Sequence, residues 1–176
     1  IDASRAVALP GVEAVITGAD LPIPFGILPV SQDEHALCPD VVRFVGDPVA
    51  AVAAVDEETA LAACGLIDVV YEPLPVIGSV DDAAATPAPQ LHGYADEGNW
   101  HKLVHLQFGE LDEGFRRADL VREDLFLYEG NTHLPMEQHA SIAHATPDGR
   151  VTVLSSTQTP HYLHRALAEV LEIPMH

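Results

Sequence analysis

Residues 133–171 read HLPMEQHASIAHATPDGRVTVLSSTQTPHYLHRALAEVL, the stretch of this chain richest in side chains able to do chemistry. Glu137 and His139 are two apart, so on a strand they would share a face, with His133 in reach from the preceding turn. A carboxylate and two imidazoles could hold a metal. The spacing is not the helical HExxH pair, however, and in a chain with 10 histidines such combinations arise by chance. A polar network fixing a strand end is the simpler account. Ser155 or Ser156 with His161 would make a nucleophile and base, but no Gly-x-Ser-x-Gly elbow surrounds either serine, which argues against a hydrolase. His161 and His164, three apart on a predicted helix, are expected to face solvent or an interface.

Gln158 stands apart. Positions 151–154 are β-rich, 155–158 are small and polar, Thr159 can cap a helix and Pro160 suits its first position. Gln158 is therefore predicted at a strand-to-helix elbow, near unpaired N–H groups and the positive end of a helix dipole, where an anionic or oxo-bearing ligand would fit. Its neutral amide offers two donors and an acceptor without the desolvation cost of a cation. Chemistry alone leaves a cofactor contact and a structural amide evenly matched.

The rest of the chain must position these residues. Segment 4–9 is predicted as a short helix ended by Pro10-Gly11, 12–17 as a strand, and 21–39, with four prolines, as an irregular loop. Segment 41–56 predicts strand, turn and a second strand buried on both faces, with Gly46-Asp47-Pro48 as an ordinary turn. Asp56 should cap a helix over 57–67, followed by a strand over 68–71 that pairs with 49–55. A weak helix over 79–85 precedes a proline- and glycine-containing linker at 86–100, where Tyr94 and Trp100 either dock the two parts or simply pack. Beyond it, 103–108 and 120–128 are predicted strands flanking a helix over 110–118.

Composition narrows the function. The chain has 176 residues, 48% of them hydrophobic, enough for one domain or two small ones. Its formal charge of −19, from 27 acidic and 8 basic residues, opposes nonspecific binding to nucleic acid or anionic membrane. Cys38 and Cys64 are the only cysteines, too few for an iron–sulfur cluster and consistent with reduced thiols in the cytoplasm. No apolar run reaches the ~20 residues of a membrane helix. The opening at Ile1 and the stop at His176 suggest a piece of a longer polypeptide.

Several blocks, in order, resemble one family: LPGVEAVITGADLP, then VRFVGDPVAAVAAVDEETALAA with DVVYEPLP, then HLPMEQHASIA with GRVTVLSSTQTPH. The family is the large molybdenum-cofactor subunit of the xanthine dehydrogenase type of molybdenum hydroxylases. The resemblance implies an α/β fold: an α/β hammerhead domain over 1–85 lacking its N-terminal strands, a linker over 86–100, and the N-terminal part of a molybdopterin-binding domain over 101–176. It also implies a molybdenum–molybdopterin cofactor, in its cytosine dinucleotide form for a bacterial chain. Gln158 occupies the place of a glutamine that approaches the molybdenum centre. Glu137 lies in the family's Met-Glu-Pro-His block, where Gln138 replaces proline, so only a structural role carries over.

The family further implies partner subunits with iron–sulfur clusters and FAD, a hetero-oligomer and a small aromatic or heterocyclic substrate. The segments LPIPFGILPVSQDEHAL and VRFVGDPVAAVAAVDEETA most resemble the large subunit of 4-hydroxybenzoyl-CoA reductase. The family's glycine-rich cofactor loop and late glutamate base have no counterpart here, so the segment alone is expected to be inactive. The rival expectation is a non-catalytic binding or assembly module with a hammerhead-like fold.

Overall fold

A computed structural model describes residues 1–28, 31–85, 90–93 and 98–176. Its contacts divide the chain into two units, Ile1–Lys102 with Pro160–His176, and Leu103–Thr159. In the first unit, strand β1 (Val12–Thr17) pairs antiparallel with β2 (Ala50–Ala54). Val12 and Val15 are three apart and would face opposite ways on a regular strand. The register shifts between Val12 and Ala14, and this bulge returns Val12, Val15 and Thr17 to one half-buried face, opposite Ala54, Val52 and Ala50.

Two helices, α1 (Ser4–Val7) and α2 (Glu57–Cys64), pack against this ribbon and against each other. Ala6 and Ala63 have no exposed surface, and their small side chains permit the close approach. Asp56 caps α2 as its sequence predicts, its carboxylate accepting the Thr59 N–H at 2.8 Å, with Glu57 and Glu58 in the first turn. The segment before α1 is tied back by paired main-chain bonds between Asp2 and Asp68, reinforced by Arg5 on Asp68 at 2.7 Å.

The proline-rich loop is irregular, with one antiparallel bridge between Phe25 and Glu34. It also closes the end of the ribbon. A Cβ on the buried Gly18 would stand 2.4 Å from the Cys38 carbonyl oxygen, and Cys38 donates its N–H to the Pro48 carbonyl at 2.7 Å. Gly46-Asp47-Pro48 is thus part of a structural turn, with Asp47 also accepting the Arg43 N–H at 3.0 Å. Parts of the linker are bound to this loop and to the segment after it: His92 Nδ1 lies 2.7 Å from Asp33, and Arg43 Nε donates to the Leu91 carbonyl at 2.6 Å. Trp100 is largely exposed, and Tyr94 lies outside the described residues.

Several predicted strands do not form. Segments 41–45 and 69–71 are irregular, Asp68 forms an isolated bridge to Asp2 in place of a strand, and β2 pairs with β1 instead of 69–71. Nor is β2 buried on both faces, since Ala51 and Ala53 are exposed on the uncovered side. Helix α3 (Val80–Ala85) is present, with Ser79 Oγ accepting the Asp82 N–H.

In the second unit, helix α4 (Leu111–Arg117) matches its prediction, but 103–108 and 120–128 are not strands. A strand exists only against a partner, and among the described residues neither segment has one. Their apolar side chains stay in water, including Leu125, Phe126 and Tyr128. Strands β3 (Ser141–Ala145) and β4 (Val151–Ser155) form an antiparallel hairpin in unbroken register. Gly149, at φ +86°, supplies the left-handed residue its turn needs. Helix α5 (Pro160–Val170) follows, beginning at the expected proline and burying Val170 within the first unit.

Hydrogen bonding from the Thr59 side chain, and then from its N–H, holds the Asp56 carboxyl below its ordinary value of 3.8. Its contribution to α2 is therefore complete above that value and lost as pH falls through the lower folded one. Thermal unfolding of the intact subunit should show Asp56→Ala less stable than wild type at neutral pH, with the difference vanishing in strong acid. A difference that persists there would mean the cap does not act through the carboxylate.

Candidate functional site

The β3–β4 hairpin brings two polar segments together at its open end: 136–140, leading into β3, and 156–159, leaving β4. Ser156 joins them. Its N–H donates to the Ala140 carbonyl at 3.0 Å, its Oγ accepts the Ala140 N–H at 2.9 Å, and its hydroxyl donates to the Gln138 carbonyl at 3.1 Å. Ser155 and Ser141 pair through their hydroxyls at 2.8 Å across the last rung of the ladder. Both serines are thus committed to holding the hairpin, and neither bonds a histidine among the described residues.

After Ser156 the chain turns. The Thr157 hydroxyl accepts the Thr159 N–H at 3.1 Å and lies 3.5 Å from the Thr159 hydroxyl. Among the described residues, Thr159 does not cap α5 with its side chain as its type would allow. The local turn, together with the fixed φ of Pro160, starts the helix instead. Gln158 lies between these two threonines, exposed, and its amide forms no hydrogen bond among the described residues. It is not a buried amide satisfying neighbouring main chain. Both its donors and its acceptor remain open to a ligand.

Glu137 and His139 lie in the irregular lead-in to β3, so the strand pairing that would have set them on one face is absent. They and His133 are exposed, and no group of three potential metal ligands occurs among the described residues. Their position still matters, because they flank Gln138, whose carbonyl Ser156 holds. His161 and His164 are exposed on α5, where Arg165 stacks over the Tyr162 ring at 4.9 Å. Ser156 is the residue whose role sequence reasoning missed. A serine just past the end of a strand can bond main chain two or three residues away on its partner, but nothing in its own spacing distinguishes it from Ser155.

Comparison with known proteins places this geometry in a context. Residues 1–75 match the aldehyde oxidase and xanthine dehydrogenase a/b hammerhead domain, and residues 93–176 match the molybdopterin cofactor-binding domain. The nicotinate dehydrogenase large molybdopterin subunit of Eubacterium barkeri is 35% identical over 99% of this chain and 40% of its own length. A xanthine dehydrogenase molybdenum-binding subunit of Escherichia coli is 35% identical over 99% of this chain and 24% of its own. The carbon monoxide dehydrogenase large chain of Afipia carboxidovorans is 32% identical over 100% of this chain and 24% of its own. The chain therefore spans between 24% and 40% of the length of these relatives. The expected mixed α/β order, hammerhead followed by the start of a molybdopterin-binding domain, holds. Among the described residues, no helix is long and apolar enough to cross a membrane.

The commitment of both hydroxyls has a chemical consequence. A fluorophosphonate probe, which labels activated serines, should leave Ser155 and Ser156 unmodified when peptides of the intact protein are read by mass spectrometry. Labelling at either would restore the hydrolase reading.

Proposed function

We propose that this chain is part of a large molybdopterin-binding subunit of the xanthine dehydrogenase family of molybdenum hydroxylases, and that Gln158 contacts the molybdenum cofactor of the complete subunit. The observation that carries this reading is the free Gln158 amide on a turn whose base is fixed by Ser156. The donor set fits, because a neutral amide can hydrogen-bond a bound polar group without adding charge to a chain that is already −19. When bound, the cofactor supplies the two-electron oxidation–reduction chemistry. Gln158 orients it, and the main-chain bonds of the hairpin hold Gln158. The cofactor is proposed in its cytosine dinucleotide form.

The domain division of the whole is a hammerhead over 1–85, a linker over 86–100, and the start of the cofactor-binding domain over 101–176. Exposed apolar residues such as Leu125 and Phe126 support further polypeptide covering this part, since burying each such side chain stabilises by about 1.5–3 kcal/mol. The complete enzyme acts on an aromatic or heterocyclic substrate. Reductive removal of the hydroxyl of 4-hydroxybenzoyl-CoA is the finer reading, supported by the sequence of the proline-rich loop and the β2–α2 region. Electrons pass through iron–sulfur and FAD subunits of a hetero-oligomer, as the chain's two separated cysteines cannot ligate a cluster.

Gln158→Ala in the complete complex should lower turnover by about 10–100-fold, the usual cost of removing a group that supports a metal site, with molybdenum content and subunit composition unchanged. Turnover equal to wild type, measured with nicotinate, xanthine and 4-hydroxybenzoyl-CoA as candidate substrates, would remove Gln158 from the site.

A further inference from the structure

We propose that Ser156 is a positioning residue for the cofactor site, its one hydroxyl fixing the Glu137–His139 segment and the Gln158 turn relative to each other. The inference rests on the cofactor reading of Gln158. Its own basis is the way the ladder ends. Ser141 faces Ser155 in the register, so Ala140 and Ser156 form the next pair, and a regular antiparallel pair of this kind exchanges two main-chain hydrogen bonds. The first is present, Ser156 N–H to Ala140 carbonyl at 3.0 Å. In the second, the Ala140 N–H goes to the Ser156 hydroxyl oxygen at 2.9 Å in place of the Ser156 carbonyl.

That exchange lets the chain leave the sheet without losing its last rung. The Ser156 carbonyl is released to follow the turn toward Gln158, while the side chain keeps the partner strand in register. The same hydroxyl then donates its proton to the Gln138 carbonyl at 3.1 Å, with the Ala140 carbonyl at 3.3 Å as alternative acceptor. One oxygen thus spans the main chain from 138 to 140. An alanine there leaves the Ala140 N–H and the Gln138 carbonyl without this partner, and a turn carrying an unpartnered amide two residues later loses its anchor. A threonine retains the oxygen on the same Cβ.

The test uses the complete, cofactor-loaded complex and four variants. Ser156→Ala should retain wild-type molybdenum content, lower kcat about tenfold, and alter the electron paramagnetic resonance spectrum of the partly reduced molybdenum in the same sense as Gln158→Ala. Ser156→Thr should restore the wild-type spectrum. Thr146→Val, which removes the hydroxyl bond to Asp148 at the opposite end of the same hairpin, should leave the spectrum unchanged. A wild-type spectrum in Ser156→Ala beside an altered one in Gln158→Ala would overturn the positioning role and leave the Gln158 contact standing. An equal spectral change in Thr146→Val would reduce Ser156 to general support of the hairpin and also overturn it. A wild-type spectrum in Gln158→Ala would remove the cofactor contact and this inference with it. Should Ser156→Ala fail to assemble, the isosteric pair Ser156→Thr and Ser156→Val decides by the same criteria, since the two differ by the hydroxyl alone.

Discussion

The antiparallel ladder between β3 and β4 is the constraint on which the candidate site depends. Very little of the surrounding unit is buried, so apolar packing does not fix its residues. Main-chain pairing from Ala145 and Val151 back to Ser141 and Ser155 sets which residues stand opposite each other, and that register alone brings Gln138 and Ala140 beside Ser156. A shift of one residue would turn every side chain to the other face and place Ser155 where Ser156 now sits. The turn at Gly149 pins the other end, with its N–H on the Thr146 carbonyl at 2.9 Å. Register set at a turn thus decides the geometry of a site at the far end of the hairpin.

The first unit is organised differently. There, small side chains substitute for a large core: Ala6 and Ala63 let two short helices lie close to a two-stranded ribbon, and a bulge gathers Val12, Val15 and Thr17 on the covered face. Polar ties do the rest. Arg5 on Asp68, Arg43 on the Leu91 carbonyl and Asp33 with His92 each join parts of the chain far apart in sequence. Because these ties are partly exposed, each contributes modestly, and their value lies in specifying where loops run.

What was legible in the sequence followed from local chemistry. The cap at Asp56, the start of α5 at Pro160, the bounds of β1 and the short helix near 111–117 are each dictated by residues within a few positions. Segments 41–45, 69–71, 103–108 and 120–128 carry strand-like composition but are irregular, because a strand is a property of two segments and composition describes only one. The same limit applied to the site. Gln158 could be placed at an elbow from its neighbours, whereas the role of Ser156 depends on which residue lies opposite, and register was not readable from either strand alone. Whether Glu137 and His139 share a strand face depended on pairing in the same way, and strand β3 begins only at Ser141.

Gly18 carries a consequence of another kind. Any side chain there would collide with the main chain of Cys38 and Pro39, and Cys38 is bonded to Pro48 just ahead of β2. The collision is with backbone, so no rotamer change relieves it, and the displacement would pass directly to the second strand of the ribbon. A substitution at this position lies far in sequence from Gln158 and touches nothing chemical. Its phenotype in a cell would be one of quantity: fewer molecules surviving quality control.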